Sequence, residues 1–122
     1  MVMMLAIVLL GACASHGGNT PPELVGFTES GKASYYAAKY QFRKTASGER
    51  FNQLSRTAAH RTLPFGTRLL VTSTESGRSV IVRVNDRGPF VEGRIIDLSR
   101  AAFSEIADTE RGVVPVTIEA IP

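Results

Sequence analysis

The sequence predicts an all-β domain, a small barrel with one short helix, on three observations. From Gly31 onward, apolar residues recur with a period near two in short runs separated by turn residues, the pattern of half-buried strands. Only after Ser99 does the spacing become helical. The 122 residues suffice for one core and are too few for two domains of ordinary size. That core must hold the domain by itself: the single cysteine forms no disulfide within the chain, and two distant histidines give no zinc spacing. No metal and no cofactor are expected. With 43% hydrophobic and 20% charged residues, the composition excludes disorder over the whole length.

The N-terminal residues read as an address. Val2 to Leu10, "VMMLAIVLL", is unbroken apolar, but a membrane-spanning helix needs roughly 20 such residues. It has the length of a signal-peptide core, and the "LGAC" that follows resembles the lipobox of bacterial lipoproteins. That resemblance implies a signal peptide over residues 1–12 and a lipid on Cys13, although "MVMM" lacks the positive charge that usually opens a signal peptide. Ala14 is not the aspartate associated with inner-membrane retention, so the periplasmic face of the outer membrane is the expected location. Residues 13–30, rich in Gly, Pro, Ser and Thr and without periodicity, read as a flexible tether in which His16 is a solvated linker residue. The domain is then 31–122.

Within it, Lys32 to Tyr36 and Arg68 to Thr74 are candidate strands. In Ser79 to Asn85 the side chains of Val80, Val82 and Val84 share one face, with Ile81, Arg83 and Asn85 on the other. "ESG" joins these last two strands as a hairpin, with Gly77 available for positive φ. Ser99 reads as a helix N-cap, with Ala102, Phe103, Ile106 and Ala107 on one helical face. Val114, Val116, Ile118 and Ala120 form the buried face of a last strand, whose start Pro115 places at an edge or a bulge.

The formal net charge of +3 lies entirely after Cys13, and its cations alternate with Glu and Asp without interleaved aromatics. That argues against nucleic acid and suits an anionic polymer.

Four blocks carry a resemblance: "GKASYY" from Gly31, "TASGERFN" from Thr45, "TAAHRTLPFGTRLLVT" from Thr57, and "VNDRGPFVEGRIIDLSRAAF" from Val84. In this order and length they are similar to the rare lipoprotein A family. The resemblance implies a six-stranded double-psi β-barrel and the activity of a peptidoglycan lytic transglycosylase, a lyase acting on glycan strands, some of them stripped of stem peptides. It implies catalytic positions at Asp86, Glu49 and His60. The chain departs from the family at Ala37, where a glycine usually follows the aromatic pair, and "AKYQF" replaces a more glycine-rich turn. Larger relatives also carry a C-terminal SPOR domain. With the last strand reaching Pro122, septal targeting through that module is not expected here. The partners expected are glycan strands, the membrane through the lipid, and divisome or other wall enzymes, with the protein itself a monomer.

Glycosidic cleavage needs an acid at the leaving oxygen and a nucleophile at the anomeric carbon, and ordinary hydrolases divide these roles between two carboxylates. In lytic transglycosylases the muramyl C6 hydroxyl is the nucleophile, so one acid/base can serve both steps. The resemblance gives that role to Asp86. A free aspartic acid, with pKa about 3.9, is only roughly one part in a thousand protonated at pH 7, so its surroundings must favour the acid form. Val84, Phe90 and Glu49 would push that way, and Arg87 would oppose them. From the residues alone, Asp86 is as simply an Asx turn ion-paired to Arg87. His60 either donates to the sugar, orients Asp86, or is a satisfied core histidine. Glu49 is either catalytic or a solvated loop charge. Ser47, among the small residues before Glu49, lets a polymer approach the backbone. Tyr35, Tyr36 and Phe90 either stack on sugar faces or pack in the core. The competing function is a non-catalytic, expansin-like module that binds wall glycan in the same groove.

Overall fold

A computed structural model of the chain describes residues 19–122. The signal peptide expected over 1–12, the lipidation site Cys13 and the linker residue His16 lie outside the described residues. Six strands form: β1 Thr28–Tyr35, β2 Thr57–Ala59, β3 Arg68–Ser73, β4 Ser79–Asp86, β5 Arg94–Leu98 and β6 Val113–Ile121. They close into a barrel in the order β1-β5-β2-β4-β3-β6. The pairs β1/β5 and β2/β4 are parallel and the others antiparallel, and closure leaves no sheet edge open.

The alternation read from the sequence is the alternation of burial. Val80, Val82 and Val84 of β4 and Val114, Val116, Ile118 and Ala120 of β6 all point into the core. Each valine or isoleucine so buried contributes about 1.5–3 kcal/mol relative to exposure. The outer face of β4 is mixed, with Ile81 exposed and Arg83 half-buried, while Asn85 is buried. The β3–β4 hairpin turns through Gly77 at φ +74°, as expected. Pro115 sits one residue beyond Val116, where the ladder between β6 and β3 stops, so its missing N–H breaks no bond on that side.

Below the barrel, helix α1 (Arg100–Ile106) begins at Ser99, whose side chain accepts from the Ala102 N–H at 3.2 Å. Such a cap stabilises by about 1 kcal/mol. Ala102, Phe103 and Ile106 are fully buried against the strands, and the Phe103 ring meets Tyr35 at 4.8 Å.

Two differences from the sequence reading have clear causes. β2 and β5 carry no alternation, because β2 is buried at all three positions and β5 at three of its five. The packed chain also begins before Gly31. The Thr20 hydroxyl donates to the Ile121 carbonyl and accepts from the Arg68 N–H, Gly26 and Phe27 pair with Ala120, and β1 starts at Thr28. Of the stretch expected to be a tether, residues 20–30 are therefore bound to the barrel. Their turn-rich composition reports a lack of periodicity, not a lack of contacts.

Candidate active site

The apolar alternation of β4 ends at Asp86, and three neighbouring segments fix that end. Asp86 lies in register with Ala59 of the parallel strand β2, just after a bulge, and its carbonyl accepts from the His60 N–H at 3.1 Å. Arg87 turns away: its guanidinium donates to the carbonyls of His60 (3.2 Å) and Leu63 (2.8 Å) and lies 4.1 Å from the centre of the Phe65 ring. The Arg87–Asp86 ion pair conceivable from the residues alone is therefore not made, because Arg87 satisfies loop carbonyls instead. The next residue has φ +125°, a conformation that only glycine adopts freely, and it is Gly88.

The Asp86 carboxylate is consequently held by neutral donors. Oδ2 accepts from the Tyr36 hydroxyl at 2.5 Å, and Oδ1 accepts from the N–H groups of Ala46 and Arg87, each at 2.9 Å. Burial, followed by the hydrogen bond to Asp86, pushes the Tyr36 phenol far above its ordinary value, so it remains a donor. The Tyr36 ring is wedged against Phe51 (4.2 Å) and Tyr40 (5.8 Å), and its backbone carbonyl accepts from the Gln53 side chain at 2.9 Å.

Above this carboxylate opens a groove of about 590 Å³. Tyr35, Tyr36, Tyr40, Asp86 and the Gly88–Val91 turn line it, together with Arg43, Lys44, Arg87, Arg94 and Asp97. Phe90 is 80% exposed at the rim, so its ring is open to solvent and does not bury Asp86 as the sequence reading expected. Tyr35 is more constrained, with its hydroxyl donating to the Thr109 carbonyl at 2.9 Å.

Asp97 is a second carboxylate in the groove. Arg94 holds it at 2.6 Å, and the Ser34 hydroxyl donates to the same oxygen. The sequence reading assigned it no role and left Arg94 unplaced. The available signal was an acid inside the apolar run "RIIDL", where a carboxylate needs a partner.

Glu49, His60 and Ser47 do not line this groove. The Glu49 carboxylate is gripped by both terminal nitrogens of Arg83 (2.8 and 2.9 Å) and by the Asn85 amide (2.6 Å). Arg83 chiefly, with Asn85 assisting against the opposing effect of burial, holds Glu49 below the usual carboxylate range. This grip fixes the Thr45–Glu49 turn on β4, since Ser47 N–H also donates to the Asn85 carbonyl. The same turn presents the Ala46 N–H to Asp86.

The His60 ring is buried and fully used. Nε2 lies 2.9 Å from Glu29, and Nδ1 accepts from the N–H groups of Thr62 and Leu63. All three residues assigned to catalysis thus converge on the end of β4, but only the Asp86 side chain enters the groove.

Residues 28–118 match the lytic transglycolase family. The chain is 53% identical over 96 residues to the endolytic peptidoglycan transglycosylase RlpA of Vibrio cholerae, an alignment covering 79% of this chain and 36% of that protein. It spans about a third of the length of the curated relatives it matches. Among solved structures, the Streptomyces papain inhibitor superposes with a TM-score of 0.65 at 28% identity, over 85% of this chain and all of that one. A mutant Clavibacter michiganensis expansin in complex with cellohexaose superposes with a TM-score of 0.63 at 23% identity, over 79% of this chain and 51% of that one. The latter likeness establishes the fold alone, and with the strand order it identifies the barrel as a double-psi β-barrel.

Proposed function

The chain belongs to the lytic transglycolase family, and we propose that it cleaves peptidoglycan glycan strands between muramyl and glucosaminyl sugars, leaving anhydro-muramyl ends. The observation that carries this reading is the Asp86 carboxylate, which lies in an open groove on three neutral donors and, unlike the neighbouring Asp97, is not held by an arginine. In the first step the acid form of Asp86 gives its proton to the glycosidic oxygen as the bond from that oxygen to the muramyl anomeric carbon breaks. The C6 hydroxyl of the same sugar then bonds to that carbon and returns its proton to Asp86. No water is consumed and Asp86 ends as it began, so one acid/base suffices.

Around it, Tyr36 positions the carboxylate, and the exposed Phe90 ring offers a face on which a sugar stacks. Glu49 and His60 act at one remove. Glu49 holds the turn that supplies the Ala46 N–H, and His60 holds the Asp86 backbone and the loop that occupies Arg87.

The location belongs to the same proposal: lipidation of Cys13 would tether a monomeric domain to the periplasmic face of the outer membrane, beside other wall enzymes. Fatty-acid labelling that persists in Cys13→Ser would refute the anchor.

Digestion of purified sacculi, with and without prior amidase treatment, followed by mass analysis of the released sugars, tests the reaction itself. Anhydro-muramyl products, lighter by one water than hydrolysis products, are expected. Hydrated ends would make the protein a hydrolase, and binding without release would make it a glycan-binding module.

A further inference from the structure

From Tyr36 to Lys44 the chain forms an arm along the groove, and one residue of that arm breaks a backbone rule. Phe42 has φ +65°, and among the described residues every other positive φ belongs to a glycine. A side chain in this left-handed region crowds its own backbone, a cost that glycine does not bear. The conformation is held from two directions: the Phe42 N–H donates to the Phe51 carbonyl at 2.8 Å, and the Arg50 guanidinium donates to the Phe42 carbonyl at 3.1 Å. A glycine would make the same two bonds without strain.

Nothing in the fold offsets that cost. Phe42 is 63% exposed, and among the described residues its ring meets no other aromatic ring and no cation. A single exposed apolar side chain is ordinary, but one kept on a strained backbone is the kind of outlier that marks a functional position. Phe42 does not line the groove, yet Tyr40 and Arg43 on either side of it do. Its Cα is at most about 14 Å from that of Ala46, whose N–H bonds the Asp86 carboxylate. A polymer that lies in the open groove and leaves it along this arm passes the ring.

The face of an aromatic ring is electron-rich, and the flat faces of a sugar present polarised C–H groups, so the two stack. Resting on the reading of the groove as a glycan-cleaving site, we propose that Phe42 is a sugar-stacking platform just outside the groove, which grips the strand at a sugar beyond those on which Asp86 acts. The platform adds affinity for long strands and none for fragments short enough to lie within the groove. The protein then favours long chains over its own short products.

The test compares wild type, Phe42→Ala and Phe42→Gly on long denuded glycan chains and on the shortest fragment that wild type cleaves. Both variants are expected to show a KM about tenfold higher on the long chains with kcat little changed, which corresponds to about 1.4 kcal/mol of uniform binding, and to match wild type on the short fragment. Phe42→Trp, which keeps an aromatic face, should retain the wild-type KM. Phe42→Gly should also melt about 4 °C above Phe42→Ala, because both lose the ring and only glycine removes the strain.

An unchanged KM on long chains, or an equal rise on the short fragment, would overturn the platform, and equal melting of the two variants would remove the strain on which it rests. Co-sedimentation of the Asp86→Asn protein with long glycan, with and without Phe42→Ala, asks the same question without turnover. Weaker retention of the double variant supports the platform even if the reaction proves to be of another kind, and equal retention refutes it.

Discussion

Asp86 and Glu49 lie on adjoining pieces of chain, yet they meet opposite partners. Glu49 is closed off by a bidentate arginine and an amide, and its charge is neutralised in place. Asp86 has a phenol and two backbone N–H groups, none of them charged, and a groove above it. A carboxylate committed to an arginine fork cannot take up a proton without breaking that fork, whereas one that lies in an open groove without a charged partner is accessible to a substrate. Under the proposed function, the contrast distinguishes the residue placed to react from the residues that hold it.

The largest effect expected from this contrast is at Asp86. Asp86→Asn keeps the size and much of the hydrogen bonding but cannot transfer the proton, so release of anhydro-muramyl sugars should fall at least about 10²–10⁴-fold while thermal unfolding is nearly unchanged. Next is Tyr36→Phe, which removes one donor from the carboxylate and leaves the ring against Phe51. It should lower kcat about tenfold, the equivalent of one hydrogen bond, and shift the pH–rate profile, which a purely structural loss would not do. Unchanged kcat and profile would mean that the phenol does not position the acid.

His60→Ala sharpens the comparison from the scaffold side. It strands the N–H groups of Thr62 and Leu63 that the ring accepts, so a loss of about 1–3 kcal/mol in denaturant-measured stability is expected, with a far smaller effect on rate than at Asp86. A catalytic histidine would show the reverse pattern.

The smallest effect concerns pH. Glu49 titrates below its ordinary value when folded, so its contribution is present above about pH 4.5 and is lost as pH falls through the folded value. The stability difference between wild type and Glu49→Gln should therefore be greatest near neutrality, at about 1 kcal/mol or less because the pair is partly exposed, and should vanish in acid. A difference that persists or grows in acid would contradict the grip on Glu49.

The parts of the molecule legible in the sequence are those with one wet and one dry face. β4 and β6 alternate because one side of each meets the core, and the Ser99 cap announces α1 by residue type. β2 and β5 are largely dry on both sides, so they carry no alternation and were not read as strands; the resemblance implied six strands without placing these two. At the site, the family resemblance pointed to Asp86, which from the residues alone reads as an Asx turn at the end of "SVIVRVND". The direction in which each neighbouring side chain faces could not be read the same way. His60 and Asp86 are joined through backbone atoms, and a residue list does not distinguish a ring that faces Glu29 from one that faces the groove. Arg94 and Asp97 lie three residues apart on β5, but the third member of the cluster, Ser34, is set beside Asp97 only by the parallel β1/β5 pairing, which carries no local sequence signal.

The central claim is that Asp86 acts chemically and Glu49 acts by position, and small-acid rescue measures that difference directly. Asp86→Ala leaves a space open to the groove, into which formate can diffuse and exchange a proton in place of the missing carboxyl. Glu49→Ala leaves an unpaired Arg83 and a loosened turn, which formate cannot rebuild into the Ala46–Asp86 contact. The account predicts that formate restores anhydro-muramyl release by Asp86→Ala in proportion to its concentration and leaves the rate of Glu49→Ala unchanged. Rescue of Glu49→Ala with none for Asp86→Ala would assign the chemistry to the wrong carboxylate.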